Sequence, residues 1–110
     1  MKIVDREAFL KLPAGTVYQT YEPCIFGHLC IKGNSLLGKD WYTVDTSCCV
    51  ECLSYDEMPD ILEKAFRDGS SVDLDLDIES RDGMYNLDQL FAVWEAKDVS
   101  ALIERLKGTP

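Results

Sequence analysis

With 110 residues, 46% of them hydrophobic and 28% charged, the chain has the length and composition of one globular domain, too apolar to remain unfolded. Its formal charge of −9 sets it apart from proteins that hold nucleic acid or an anionic membrane by clustered lysine and arginine. The charge is also uneven: residues 1–50 contain five acids and five bases, whereas residues 51–110 contain fifteen acids and six bases and carry all of it.

At the amino terminus, MKIVDREAFLKLP puts Asp5 and Glu7 where a signal peptide would have its apolar core. No later apolar run reaches bilayer length, so the cytoplasm is the expected compartment and no membrane partner is expected. Asp5 is placed to cap a short helix with Phe9, Leu10 and Leu12 on its apolar side, ended by Pro13 and Gly15. TVYQTYEP, IFGHLCIKG and WYTVDTSCCVE are rich in β-branched and aromatic residues. Turn signals at Glu22-Pro23, Gly33-Asn34-Ser35 and Gly38-Lys39-Asp40 separate them, which predicts three antiparallel strands in a meander. In MPDILEKAF the period lengthens. Met58, Ile61, Leu62, Ala65 and Phe66 recur at i, i+3, i+4, i+7 and i+8, with Pro59 in the first turn and Gly69 past the end, predicting an amphipathic helix that covers one sheet face.

The stretch VDLDLDIES, residues 72–80, alternates apolar and acidic residues and predicts a fourth strand, ended by Arg81-Asp82-Gly83. Asn86 with Gln89 three residues on forms a capping-box signal for a helix carrying Leu87, Leu90, Phe91 and Trp94. A last helix is expected, capped by Asp98, carrying Val99, Leu102, Ile103 and Leu106 at the same spacing and stopping before Gly108. No repeat or linker interrupts the series. Residues 1–110 are therefore expected to form a single α+β domain: a mostly antiparallel sheet of about four strands with helices packed on one face, in the order α-β-β-β-α-β-α-α.

Three constellations bear on function. Asp73, Asp75, Asp77 and Glu79 resemble the start of a calcium loop, but the positions that need glycine and a bidentate glutamate hold Ile78 and Met84. On a strand the carboxylates would also stand about 7 Å apart in a row, too far for three to surround one ion. The row then has two readings: the solvated face of a half-buried strand, or, together with Asp56, Glu57, Asp60 and Glu63, an acidic surface that meets a basic partner.

The five cysteines are odd in number and unevenly spaced, so no disulfide framework is expected. A zinc site, if present, would use Cys24, Cys30, Cys49 and Cys52, although Cys49-Val50-Glu51-Cys52 alone has zinc-knuckle spacing; cysteines packed in the core explain the pattern without metal. His28, the single histidine, shares a strand parity with Cys30, yet no orienting motif accompanies them, and no catalytic residue is assigned. GNSLLGKD approaches the phosphate-binding loop pattern but places Asp40 where the Mg²⁺-binding hydroxyl belongs. Tyr18, Tyr21 and Trp41, with Lys32 and Lys39, offer a platform for a nucleotide-like ligand on the neutral half.

REAFLKLPAGTVYQTYEPCIFGHLCIKG and the later QLFAVWE resemble small accessory proteins of tailed bacteriophages and prophages. The resemblance covers the start and the C-terminal third and transfers no functional residue. It implies a small, acidic, non-enzymatic protein of the bacterial cytoplasm that binds and blocks a host factor or sequesters a host signal.

Three functions are therefore expected, in descending order. The first is a binding protein without cofactor that meets a basic host protein through Asp73, Asp75, Asp77 and Glu79. The second is a protein that sequesters a nucleotide-like ligand at Tyr18, Tyr21, Lys32, Lys39 and Trp41, and the third is a cysteine- or metal-dependent enzyme.

Overall fold

The computed structural model describes residues 1–81 and 86–108. The elements are β1 (Lys2–Val4), α1 (Arg6–Leu10), β2 (Val17–Glu22), β3 (Ile25–Phe26), β4 (Cys30–Leu36), β5 (Asp40–Asp45), α2 (Met58–Asp68), β6 (Ser80–Arg81), β7 (Leu90–Val93) and α3 (Ala96–Lys107). Among the described residues seven strands form one antiparallel sheet in the order β1-β7-β2-β4-β5-β6, with β3 paired to β2 outside that path. The α+β class stands, but the expected sheet of about four strands and the order α-β-β-β-α-β-α-α do not.

Each departure has a local cause. The helix expected after Asn86 is instead β7, inserted between β1 and β2. Leu90-Phe91-Ala92-Val93 is a short unbroken apolar run, which suits a strand buried on both faces as well as it suits a helix turn. The residues of the capping-box signal have other tasks: Asn86 Oδ1 accepts from Asp88 N, and Gln89 Nε2 donates to the carbonyls of Tyr21 and Leu90. β1 is a three-residue edge strand whose pairing with β7 is long-range and leaves no local signature.

The predicted strand over 72–80 is the second correction. Only Ser80–Arg81 joins the sheet, and Leu74 makes an isolated bridge to Val50. Asp75 Oδ1 accepts from Asp77 N, an Asx turn in which an aspartate side chain offers the backbone an alternative to a ladder. Leu74 and Leu76 are exposed as a result. The Asp82-Gly83 end of that expected strand lies outside the described residues.

The expected second meander strand is split into β3 and β4, and β4 runs on through Gly33-Asn34-Ser35, where a register irregularity between Lys32 and Ser35 replaces the predicted turn. α1 starts at Asp5, whose Oδ1 accepts from Ala8 N at 2.8 Å. α3 begins three residues earlier than expected, capped at Glu95 instead of Asp98, with Asp98 Oδ2 accepting from Glu95 N across its first turn.

The core lies between α1 and one sheet face. Directly paired residues share a face, so Val93, Tyr18, Cys30 and Asp45 form one row across β7, β2, β4 and β5. Phe9 of α1 is fully buried over this face, stacked on Phe91 at 4.0 Å between ring centroids and edge-on to Tyr18 and Trp41. Val4, Leu10, Leu12, Cys30 and Val93 close around that cluster. Tyr18 Oη accepts from Trp41 Nε1 at 2.9 Å and meets Thr43 Oγ1 at 2.6 Å, so the polar ends of the buried aromatics are paired.

α2 forms where expected and ends at Gly69, whose positive φ of 71° is a left-handed cap that glycine tolerates. None of its residues is buried, so it does not seal a sheet face as the periodicity suggested. No helix among the described residues is long and apolar enough to cross a membrane.

Candidate functional site

The residues offered by sequence as a nucleotide platform are dispersed or enclosed. Tyr18 and Trp41 belong to the buried aromatic cluster. Lys32 is also buried, its Nζ 5.8 Å from the Phe9 ring centroid and donating to Gly33 O and Ser35 Oγ; Ser35 Oγ in turn donates to Leu10 O, tying the irregularity in β4 to the end of α1. Burial pushes the Lys32 ammonium below its ordinary value. Tyr21 Oη accepts from Cys24 N at the β2–β3 turn, and the Tyr21 ring tilts against Phe26. Of the five, Lys39 alone is exposed, and its carbonyl accepts from Arg6 Nη2.

The cysteines do not converge either. Cys24 and Cys48 are exposed, Cys30 and Cys52 half-buried and Cys49 buried. Among the described residues no group of three or more His, Cys, Asp or Glu side chains is placed to hold a metal ion, which applies to the four proposed zinc cysteines and to the acidic row alike. Cys49 Sγ donates to Asp45 O, and burial followed by the Asp45 charge raises its pKa, which disfavours the thiolate.

Sequence reasoning did not single out the grouping of His28 with Asp45. Both line an open cleft of about 290 Å³, together with Tyr18, Thr20, Gly27 and Cys30. A β-carbon at Gly27 would stand 2.1 Å from Thr20 Oγ1, so any larger residue there would force that hydroxyl to turn away. His28 Nδ1 lies 3.0 Å from Asp45 Oδ2, and with the proton on Nδ1 the ring keeps Nε2 as an outward acceptor. Burial raises the Asp45 carboxyl, but hydrogen bonds from His28 and Ser47 outweigh it and leave the group below its ordinary value. An imidazole oriented by a carboxylate is half of a nucleophilic apparatus. Cys30 stands opposite Asp45 in the sheet register, however, and a nucleophilic thiol needs a positive neighbour. The signal was present in the parity of His28, Cys30 and Asp45, but reading it required the β4–β5 register.

The larger feature is the surface of residues 51–79. This segment holds ten acids and two bases, so a net −8 of the chain's −9 lies within it. Asp73, Asp77 and Glu79 are exposed and Asp75 is half-buried, no longer as one wet strand face but along an extended segment with a turn. Among these charges stand apolar side chains that a folded domain ordinarily covers. Leu53 is 94% exposed, Phe66 90% and Tyr55 71%, with Leu62, Leu74 and Leu76 also exposed. Leu53 N donates to Glu57 Oε2, which holds Leu53 beside the start of α2. The apolar part of this surface was legible as helical periodicity, which is silent about whether anything covers it.

Comparison with known proteins yields no matching family model, no matching curated protein and no matching solved structure.

Proposed function

We propose that the protein is a cytoplasmic binding protein without catalytic activity, which recognises a host protein with a basic surface through residues 51–79. One observation carries this reading: exposed Leu53, Tyr55 and Phe66 are embedded in the most acidic stretch of the chain. Solubility alone is served by acids without exposed aromatics, whereas apolar anchors among like charges are the composition of a protein-recognition surface. The acids steer a cationic partner and disfavour anionic ones, so nucleic acid and acidic lipid are poor candidates. The resemblance of residues 6–33 and 89–95 to phage accessory proteins fits a partner in the bacterial host.

The test is affinity capture from bacterial lysate by the wild-type chain and by a variant carrying Asp73→Asn, Asp75→Asn, Asp77→Asn and Glu79→Gln. Wild-type capture of a basic protein that fades with added salt and is weakened in the variant supports the reading. Capture indifferent to both changes removes the acidic row from the account.

A further inference from the structure

The cleft around His28 and Asp45 has no part in the proposed function, and its lining narrows what it can hold. It opens at the margin of the aromatic core: Tyr18 is part of that core, Cys30 packs on it, and both line the cleft. Thr20 follows Tyr18 by two residues on β2 and so faces the same side of the sheet. The Asp45 side chain is 33% exposed. Its Oδ2 meets His28 Nδ1 and its Oδ1 accepts from Ser47 N, which leaves each oxygen room for a second donor. Those bonds also hold the carboxyl below its ordinary value and keep it charged at neutral pH.

Charge and size select among ligands. No lysine or arginine lines the cleft, so an anion would meet the Asp45 charge with nothing to offset it. A metal ion lacks ligands, because no three His, Cys, Asp or Glu side chains among the described residues are grouped to hold one. A primary ammonium has three donors and no acceptor. The cleft answers it with the Asp45 carboxylate, the Thr20 hydroxyl and, with the proton on Nδ1, the Nε2 lone pair of His28. Tyr18 and Cys30 supply apolar wall for a short alkyl chain, and about 290 Å³ admits such a chain and little more. We infer that the cleft binds a primary alkylammonium group, of a free amine or of a lysine side chain, with Asp45 as its counter-ion. The site uses no residue of 51–79 and does not rest on the proposed function.

The experiment follows the ring-proton signal of His28, the single histidine, by NMR. Butylammonium and lysine capped at both backbone ends are titrated into the full chain at pH 8, where an ordinary imidazole is neutral, with butyrate and sodium chloride as controls. The expected result is a saturable movement of the His28 signal with butylammonium and none with either control. Asp45→Asn is expected to weaken that binding about tenfold, since it removes the charge that the ammonium meets. The variant carrying Asp73→Asn, Asp75→Asn, Asp77→Asn and Glu79→Gln is expected to bind as the wild type does. Capped lysine binding as tightly as butylammonium supports the inference with a protein side chain as the source, and butylammonium binding alone supports it with a free amine. Equal movement with butylammonium and sodium chloride overturns the inference on the wild-type chain, whether or not Asp45→Asn folds. A loss in the four-acid variant equal to that in Asp45→Asn also overturns it, because the amine then answers to the general charge of the acidic half. Neither result bears on capture of a basic host protein, so the two readings fail separately.

Discussion

Phe9 and Phe66 are each the bulkiest apolar residue of a short amphipathic helix, and they occupy opposite environments. Phe9 is fully buried among Tyr18, Trp41 and Phe91, while Phe66 is 90% exposed. The difference does not lie in the helices themselves, since α2 is the longer and is regular in its apolar spacing. It lies in what the rest of the chain offers. α1 meets the face of a sheet whose central strands contribute aromatics, whereas α2 sits in a segment that supplies carboxylates and turns. Amphipathic periodicity therefore reports that a helix has an apolar face to cover, and leaves open whether this chain or another covers it.

The contrast can be broken by substitution. Phe9→Ala removes the ring on which the buried aromatics converge and is expected to cost about 3–5 kcal/mol, read as a lower denaturation midpoint. A loss below about 1 kcal/mol would mean that α1 is not the lid of the core. Tyr18→Phe keeps the packing but orphans Trp41 Nε1, with an expected cost of about 1–3 kcal/mol in the same measurement.

A smaller effect is expected on the acid limb. The Asp45 carboxyl is depressed below 3.8, so its contribution is present in full above that pH and fades as pH falls through the folded value. Thermal melts from pH 5 to pH 2 should show the wild-type chain losing more stability below pH 4 than Asp45→Asn. Parallel curves would show that the His28 contact contributes nothing. Phe66→Ala is expected to change stability least, within about 0.5 kcal/mol, because it removes no buried contact. A loss comparable to that of Phe9→Ala would mean that Phe66 packs against the chain in solution and is no part of an open recognition surface.

Sequence patterns located α1, β2, β5, α2 and α3, because each depends on nearby residues: a capping aspartate, β-branched runs, a helical apolar period and glycine past a helix end; between β2 and β5 they expected one strand ended by a turn at Gly33-Asn34-Ser35, where β3 and β4 form and β4 runs on to Leu36. They also misjudged residues 72–80 and 86–94, where local signals had competing uses. In residues 72–80 the alternation implied a strand, yet the Asp75 side chain accepts from Asp77 N and draws that backbone into a turn. In residues 86–94 the capping-box pair implied a helix, yet Asn86 and Gln89 bond elsewhere and the apolar run joins the sheet. The candidate site was legible in its chemistry and not in its exposure. The acids of residues 51–79 and the apolar period of α2 could be read directly, whereas Lys32, Tyr18 and Trp41 looked available and are enclosed.

The sequence by itself determined that the chain mixes helices with strands and has a neutral half and an acidic half, since composition and short-range periodicity are properties of the chain. Tertiary structure alone decided that β7 lies between β1 and β2, that His28 faces Asp45, and that Leu62 and Phe66 of α2 are left in solvent. Each of those depends on which distant segments pair, and pairing is settled by a competition for one sheet face that no local pattern records.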